Sequence, residues 1–516
     1  LTTAPAGDIF EAREFPTTPF LGGRNMPDRV CPGDKGPISD AICRVRQLRN
    51  FHKCPECESR DKAIQGKIQR VEDDPRHRIF KAYDIRGIVP DELDEKLAEL
   101  IGAAVGRFLN AQRLVVSRDM RTSSEALARS LIRGILASGS NVLDVGMLST
   151  DANYFAIAHY REGGGVQVTA SHNPPQYNGF KISREQAIAL SYDGGLANIE
   201  RIALGPALRP AERRGAVEGR DIMEDWKRHV LAFARRMEPL SVVIDAANGM
   251  AGKMLPAILA ELPIHVTDLY FKLDGTFPNH EANPLKAENL RDLQKTVLEK
   301  GADLGVAFDG DADRVVFVDE EGQPVAGDLL TALLAGHLLQ AHQKSSVVYD
   351  LRSSRVVQEE IRKYGGTPAR ERVGHSFMKA AMRQRNAVLG GELSGHFYWR
   401  ENFYADSGVI TMINLLNILS RERRPMSELL KPLKRYSKIE ETNFEVEDKA
   451  AKIAALAAAF KDGRSDTLDG LSVDYDDWWF NVRPSNTEPL LRLNLEAKTP
   501  TLMEEKRAAV SKIIEG

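Results

Sequence analysis

Apolar and polar positions along this chain fall into a repeating order from about residue 78 onward. A short apolar run gives way to a polar turn, then to a stretch with helical spacing, then to a second apolar run. RLVVSRD (113–119) precedes a helical stretch over 123–137 and an apolar run over 141–145. LSVVIDAANG (240–249) precedes a helical stretch to about 261 and an apolar run over 264–269. SSVVYD (345–350) precedes a helical stretch over 353–363 and a short run near 367–370. In each copy two adjacent valines come before an aspartate at the strand end. Self-similarity at a spacing of roughly 100 residues predicts three related α/β domains instead of a short-period solenoid.

The expected boundaries are 78–219, 220–323 and 324–434. Beyond them, 435–516 combines an alanine-rich helix over 449–460 with strand-like runs over 471–475, 478–482 and 490–496, which predicts a smaller α+β domain. The fold class expected is therefore α/β, with three similar mixed-sheet α/β domains plus a smaller carboxy-terminal α+β domain. Residues 1–77 carry scattered Pro and Gly with little apolar periodicity and read as a poorly ordered amino-terminal extension.

Composition narrows the classes of function. The 516 residues are 42% hydrophobic and 28% charged, which suits several globular cores. A net charge of -3 leaves no basic excess to meet a polyphosphate backbone, so nucleic acid is not expected as a partner. The run from Leu329 to Leu339 is about half of what a bilayer requires, so no membrane partner is expected. The chain starts LTTAPAGDIFEAREF, with early acidic residues and no continuous apolar run, and a cytoplasmic protein is the expectation. All four cysteines, Cys31, Cys43, Cys54 and Cys57, precede residue 60. Cys54 and Cys57 form a C-x-x-C, which suits zinc or redox chemistry, but no second close pair accompanies it.

Four segments carry chemistry. In VQVTASHNPPQYNGFK (166–181) an alternating strand enters a rigid Pro-Pro turn and presents Ser171 at the strand end. A serine so held suits covalent chemistry, although an Asn-Pro turn without chemical role has the same appearance. The G-x-S-x-G elbow of serine hydrolases is absent, and adjacent His172 is poorly placed as its base. In AFDGDADRVVFV (307–318), Asp309, Asp311 and Asp313 alternate between two strand-like runs and can converge on a hard cation, Mg²⁺ or Ca²⁺. An EF-hand is excluded because Arg314 stands where that loop needs glycine and the flanks are strands. In GGELSGHFYW (390–399), Glu392, Ser394 and His396 alternate and so share one side of an extended loop, where Glu and Ser can bind vicinal hydroxyls. A tight turn beside an aromatic cluster remains the alternative. RPSNTEP (483–489) offers the fork of Arg483 with small donors from Ser485, Asn486 and Thr487, a phosphate cradle or else a capped helix start.

Together, in this order and at these separations, the four segments resemble the α-D-phosphohexomutase family, especially its bacterial phosphomannomutase/phosphoglucomutase branch. The resemblance covers 78–516, and KAYDIRG (81–87) is similar to the family's opening motif. It implies four domains around a central cleft, each giving one loop. It implies that Ser171 is a phosphoserine and that Ser171, Asp309, Asp311 and Asp313 form the Mg²⁺ set. Lys181, Arg86, His172 and Arg314 would complete the catalytic group. Substrate binding would fall to Tyr83, Arg352, His375, Glu392, Ser394, His396, Arg483, Ser485, Asn486 and Thr487. Arg352 departs from the family pattern, where lysine is common at this place.

The implied reaction converts hexose 1-phosphate to hexose 6-phosphate and back, for mannose and/or glucose, through a hexose 1,6-bisphosphate that is both activator and intermediate. Small sugar phosphates are the implied partners and a monomer the expected state. Phosphoglucosamine mutase and a non-catalytic sugar-phosphate-binding protein are the alternatives, with Leu393 beside Glu392 arguing against glucosamine.

Overall fold

A computed structural model of the chain describes residues 29–30, 37–38, 74–206, 208–485 and 490–516. All four cysteines, Asn486 and Thr487 lie outside the described residues. The chain divides into two units, Leu1–Asp74 and Pro75–Gly516. In the first, Arg29–Val30 pairs antiparallel with Pro37–Ile38.

Three sheets in the second unit are built on one plan. Two parallel pairings are followed by two antiparallel ones. In the first sheet Asn141–Met147, Arg113–Arg118 and Gly164–Val168 run parallel, and Tyr177–Arg184 and Ile85–Ile88 follow antiparallel. In the second, Ile264–Leu269, Leu240–Asp245 and Leu304–Phe308 are parallel, with Val315–Val318 and Pro324–Val325 antiparallel. The third repeats this with Thr367–Glu371, Ser346–Asp350 and Leu389–Gly391, then Phe397–Trp399 and Ala405–Asp406. The first sheet differs in two ways: its last strand in space, Ile85–Ile88, comes first in the chain, and Val217–Gly219 adds an outer strand. The second sheet closes on Pro324–Val325 and so extends past residue 323.

The valine pairs of the sequence repeat lie on the central parallel strand of each sheet and are buried, as a strand covered on both faces requires. Helices flank them, including Ser124–Ala137, Ala251–Leu259 and Arg355–Lys363. One apolar cluster runs from Val115 and Phe155 through Val242 and Phe308 to Leu389 and Leu416, so the three sheets share packing. Each such side chain contributes about 1.5–3 kcal/mol when fully buried. The carboxy-terminal sheet is different. Trp478–Pro484 and Leu490–Ala497 form an antiparallel hairpin at its centre, with its own core of Leu471, Phe480, Leu493 and Val510. Among the described residues no helix is long and apolar enough to cross a membrane.

Candidate active site

Each of the three repeated sheets first reverses direction where its third parallel strand turns into the first antiparallel one. The three chemically loaded loops occupy that same place: Ser171 after Gly164–Val168, the aspartates after Leu304–Phe308, and Glu392 to His396 after Leu389–Gly391. A second regularity supports them. The aspartate ending each central strand accepts a backbone N–H two residues on: Asp119 from Arg121 at 3.0 Å, Asp245 from Ala247 at 2.8 Å, Asp350 from Arg352 at 2.8 Å. This local turn is what an Asx side chain favours. The second carboxylate oxygen then reaches a neighbouring segment: Thr169 Oγ1 donates to Asp119 at 2.6 Å, and the Leu393 N–H donates to Asp350 at 2.8 Å. His280 Nε2 stands 2.9 Å from Asp245.

Ser171 is fully buried and adopts a left-handed backbone, φ 51°, a conformation that costs an L-residue about 1–2 kcal/mol. Its Oγ donates to Asp309 Oδ2 at 2.8 Å and lies 3.3 Å from His172 Nδ1. The serine and aspartate loops meet backbone to backbone. A Cβ on Gly310 would stand 2.5 Å from the Ser171 carbonyl oxygen, so only glycine allows this approach. Burial, then Arg314 and Arg86, hold His172 well below the ordinary histidine range.

Asp309, Asp311 and Asp313 are buried, with ligand oxygens all within 4.8 Å of one another. Burial, then repulsion from Asp311 and Asp313, pushes the Asp309 carboxyl well above its ordinary range. Lys181 donates to Asp311 Oδ2 at 2.7 Å and also contacts Asp313 Oδ2. Burial would lower its ammonium, but Asp311, Asp313 and Asp309 outweigh that and raise it. The other oxygens, Asp311 Oδ1 and Asp313 Oδ1, are buried without a hydrogen-bond partner. Three oxygen-only donors, two with a spare buried oxygen, fit a hard divalent cation.

Arg86, Arg314, His396, Glu392, Tyr83 and His375 connect to this centre or to one another. Arg86 donates to Asn173 Oδ1 at 2.6 Å, and Arg314 Nε lies 3.8 Å from Asp309 Oδ2. Arg314 and His396 form an isolated β-bridge that joins the aspartate and sugar loops. His396 Nδ1 is 3.1 Å from Ser394 Oγ, and Nε2 is 3.5 Å from Asp313 Oδ1. Glu392 accepts from Tyr398, and burial raises its carboxyl above the usual range. The ring of His375 meets Tyr83 edge-on at 5.0 Å, and both of its nitrogens are buried without a hydrogen-bond partner.

Arg483 and Arg352 meet at Glu441. Arg483 Nη2 is 3.0 Å from Glu441 Oε2, and Arg352 Nη1 is 3.9 Å from the same oxygen. Asn494 donates to that oxygen at 2.9 Å. Despite burial, Arg483 and Arg352 hold Glu441 below the usual carboxylate range. The Ser485 N–H donates to the Leu490 carbonyl at 2.8 Å, closing the hairpin that carries the fourth loop. A cavity of about 410 Å³ borders Arg352, Leu393, Glu441 and Asn494, a size that suits a small ligand. A larger one of about 550 Å³, beside Glu238 and Arg423, touches none of these residues, so chemistry and not volume marks the site.

Several neighbours escaped the sequence reading. Thr150 Oγ1 donates to Asp311, Lys379 lies 2.8 Å from Asp406, and Asp406 lies 3.6 Å from His396. Glu441, Asn494 and Arg121 were missed as well. Only Asp119 and its two counterparts left a signal, the aspartate after each valine pair.

Comparison with known proteins agrees with this architecture. Residues 77–205, 223–322 and 326–436 match alpha/beta/alpha domains I, II and III of phosphoglucomutase/phosphomannomutase, and 441–513 match its C-terminal domain. The chain belongs to the phosphoglucomutase/phosphomannomutase family. It is 40% identical over 443 residues to phosphohexose mutases of Xanthomonas campestris pv. campestris, covering 85% of this chain and 99% of theirs. A phosphomannomutase of Salmonella typhimurium is 38% identical over 440 residues, 83% of this chain and 96% of its own. Among solved structures, a phosphoglucomutase/phosphomannomutase family protein from Burkholderia thailandensis superposes with a TM-score of 0.80 at 33% identity, covering 85% of this chain and 97% of that one.

Proposed function

We propose that this mutase interconverts the 1-phosphates and 6-phosphates of mannose, glucose or both, with Ser171 carrying the transferred phosphoryl group. One observation carries the reading: the Ser171 hydroxyl lies 2.8 Å from Asp309, where a Pro-Pro turn meets three buried carboxylates. The names of the relatives, phosphohexose mutases and phosphomannomutase, support the same substrates.

Mg²⁺, held by Ser171, Asp309, Asp311 and Asp313, would supply charge neutralisation at the transferring group. Lys181, Arg86 and Arg314 add fixed positive charge around the same atoms, and neutral His172 adds none. Glu392 and Ser394 orient the sugar through its hydroxyls, with Tyr83, His375 and His396 lining that face. Arg483, with Arg352 nearby and Ser485, Asn486 and Thr487 in its loop, holds the phosphate that does not react. A sugar hydroxyl attacks phosphorus as the bond to Ser171 Oγ breaks, giving a hexose 1,6-bisphosphate. The bisphosphate turns end for end, and Ser171 takes back the other phosphoryl group.

The four segments 78–219, 220–325, 326–434 and 435–516 then contribute one loop each. A coupled assay on the 1-phosphates of mannose, glucose and glucosamine tests the proposal, with peptide mapping of the resting enzyme. Turnover of mannose or glucose phosphate with phosphate on Ser171 is the expected result. Turnover confined to glucosamine phosphate, or none at all, would overturn it.

A further inference from the structure

Pro174 and Pro175 bring no N–H to the Ser171 loop, whose own backbone bonds run from the Asn173 N–H to the Ala170 carbonyl at 3.0 Å and from the Tyr177 N–H to the Pro174 carbonyl at 3.1 Å. Four of its carbonyls are held by one side chain from outside. Arg121 is 3% exposed and ends the repeated aspartate turn of the first sheet. Its Nη2 donates to the carbonyls of Ser171 at 2.8 Å and Asn173 at 2.6 Å. Its Nη1 donates to those of Pro174 at 2.8 Å and Tyr177 at 2.9 Å. The Nε lies 3.3 Å from Asp119 Oδ2, both side chains being fully buried. The Phe277 ring covers the guanidinium at 5.1 Å. Four acceptors spread over seven residues of loop thus converge on one planar fork, which a lysine, with three donors at a single point, cannot reproduce.

We propose that Arg121 is the positioning residue that sets the Ser171 loop for phosphoryl transfer, an inference that rests on Ser171 being the residue phosphorylated. Arg121 spends its guanidinium on loop carbonyls and Asp119, and so acts through the loop. It pins the carbonyl of a serine whose own backbone is left-handed, and so fixes where Oγ stands relative to Asp309. The corresponding residue of the third sheet, Arg352, pairs with Asp350 at 2.8 Å but reaches towards Glu441, so the same turn serves a different end there.

The test uses Arg121→Lys and Asp119→Asn in the full chain, assayed with glucose 1-phosphate and glucose 1,6-bisphosphate. Folded Arg121→Lys should lose about 100-fold in kcat, and Asp119→Asn about 10-fold, with KM within about 3-fold of the parent. Wild-type kcat in either folded variant, or a loss that falls on KM instead, overturns the proposal. If Arg121→Lys does not fold, Asp119→Asn decides on the same terms. Peptide mapping separates the two readings. Phosphate found elsewhere than Ser171 in the parent removes the basis of both, whereas phosphate on Ser171 with unchanged kcat in the variants removes only the role of Arg121.

Discussion

Ser171 and Asp309 are 138 positions apart in the chain and 2.8 Å apart in the folded protein. The first belongs to the first sheet and the second to the second sheet, so the site exists only when both have docked. Ser171→Ala removes the hydroxyl proposed to accept the phosphoryl group and leaves the loop backbone in place. Turnover should fall by about 1,000-fold or more, with little change in binding of the sugar phosphate. Kinetics together with calorimetry check this, and substantial turnover in the variant would rule out a Ser171 phosphoenzyme.

Lys181 is the fixed cation of the aspartate loop. Lys181→Met leaves Asp311 and Asp313 buried without it, and breaking such a pair costs about 3–5 kcal/mol. Added Mg²⁺ should restore part of that loss, so the melting temperature of the variant should respond to Mg²⁺ against chelator more strongly than that of the parent. An equal response in both proteins would separate the triple carboxylate from the metal.

Arg483 is expected to hold the distal phosphate in both orientations of substrate. Arg483→Ala should weaken glucose 1-phosphate and glucose 6-phosphate alike, by about 2–5 kcal/mol. Arg483→Lys keeps the charge without the fork and should fall in between. Titrations on a Ser171→Ala background isolate binding from chemistry, and undiminished affinity for either isomer would sink the assignment.

Asp151, buried against Ser149 and Ser407, has its carboxyl pushed up to about 6 by burial. A raised carboxyl disfavours the ionised folded state. The resulting cost, about 3 kcal/mol, is complete above pH 6 and disappears as pH falls below the unfolded value near 4. Asp151→Asn should therefore gain stability over the parent at pH 7 that it does not show at pH 4. Thermal unfolding of both proteins at the two pH values measures this, and a pH-independent difference would count against it.

The strands, and the loops that carry Ser171, the aspartates and Glu392, could be read from the sequence because each is local: an alternating or apolar run ending in Pro, Asp or Gly. The alternation that put Glu392, Ser394 and His396 on one side left Ser394 between its two neighbours, 3.4 Å from Glu392 and 3.1 Å from His396. What stayed hidden depends on contacts across the fold. Arg121 looks like an ordinary turn residue until the Pro-Pro loop is laid over it, and Glu441 looks like one of many surface acids until Arg352 and Arg483 are brought to it. The valine pairs gave away the repeat, but not that the following aspartates tie down the neighbouring loops, since that needs the parallel strands side by side.

The order of the sheets along the chain also has a consequence for synthesis. Ile85–Ile88, the strand that closes the first sheet, leaves the ribosome before the rest of that sheet, so the serine turn can be complete once Tyr177–Arg184 has emerged. At that moment none of the three carboxylates has been made. The Ser171 turn is thus assembled first, and Gly310 closes over its carbonyl only when the second sheet arrives. A nascent chain halted between these two events would carry a formed Ser171 loop whose carbonyl Gly310 does not yet cover.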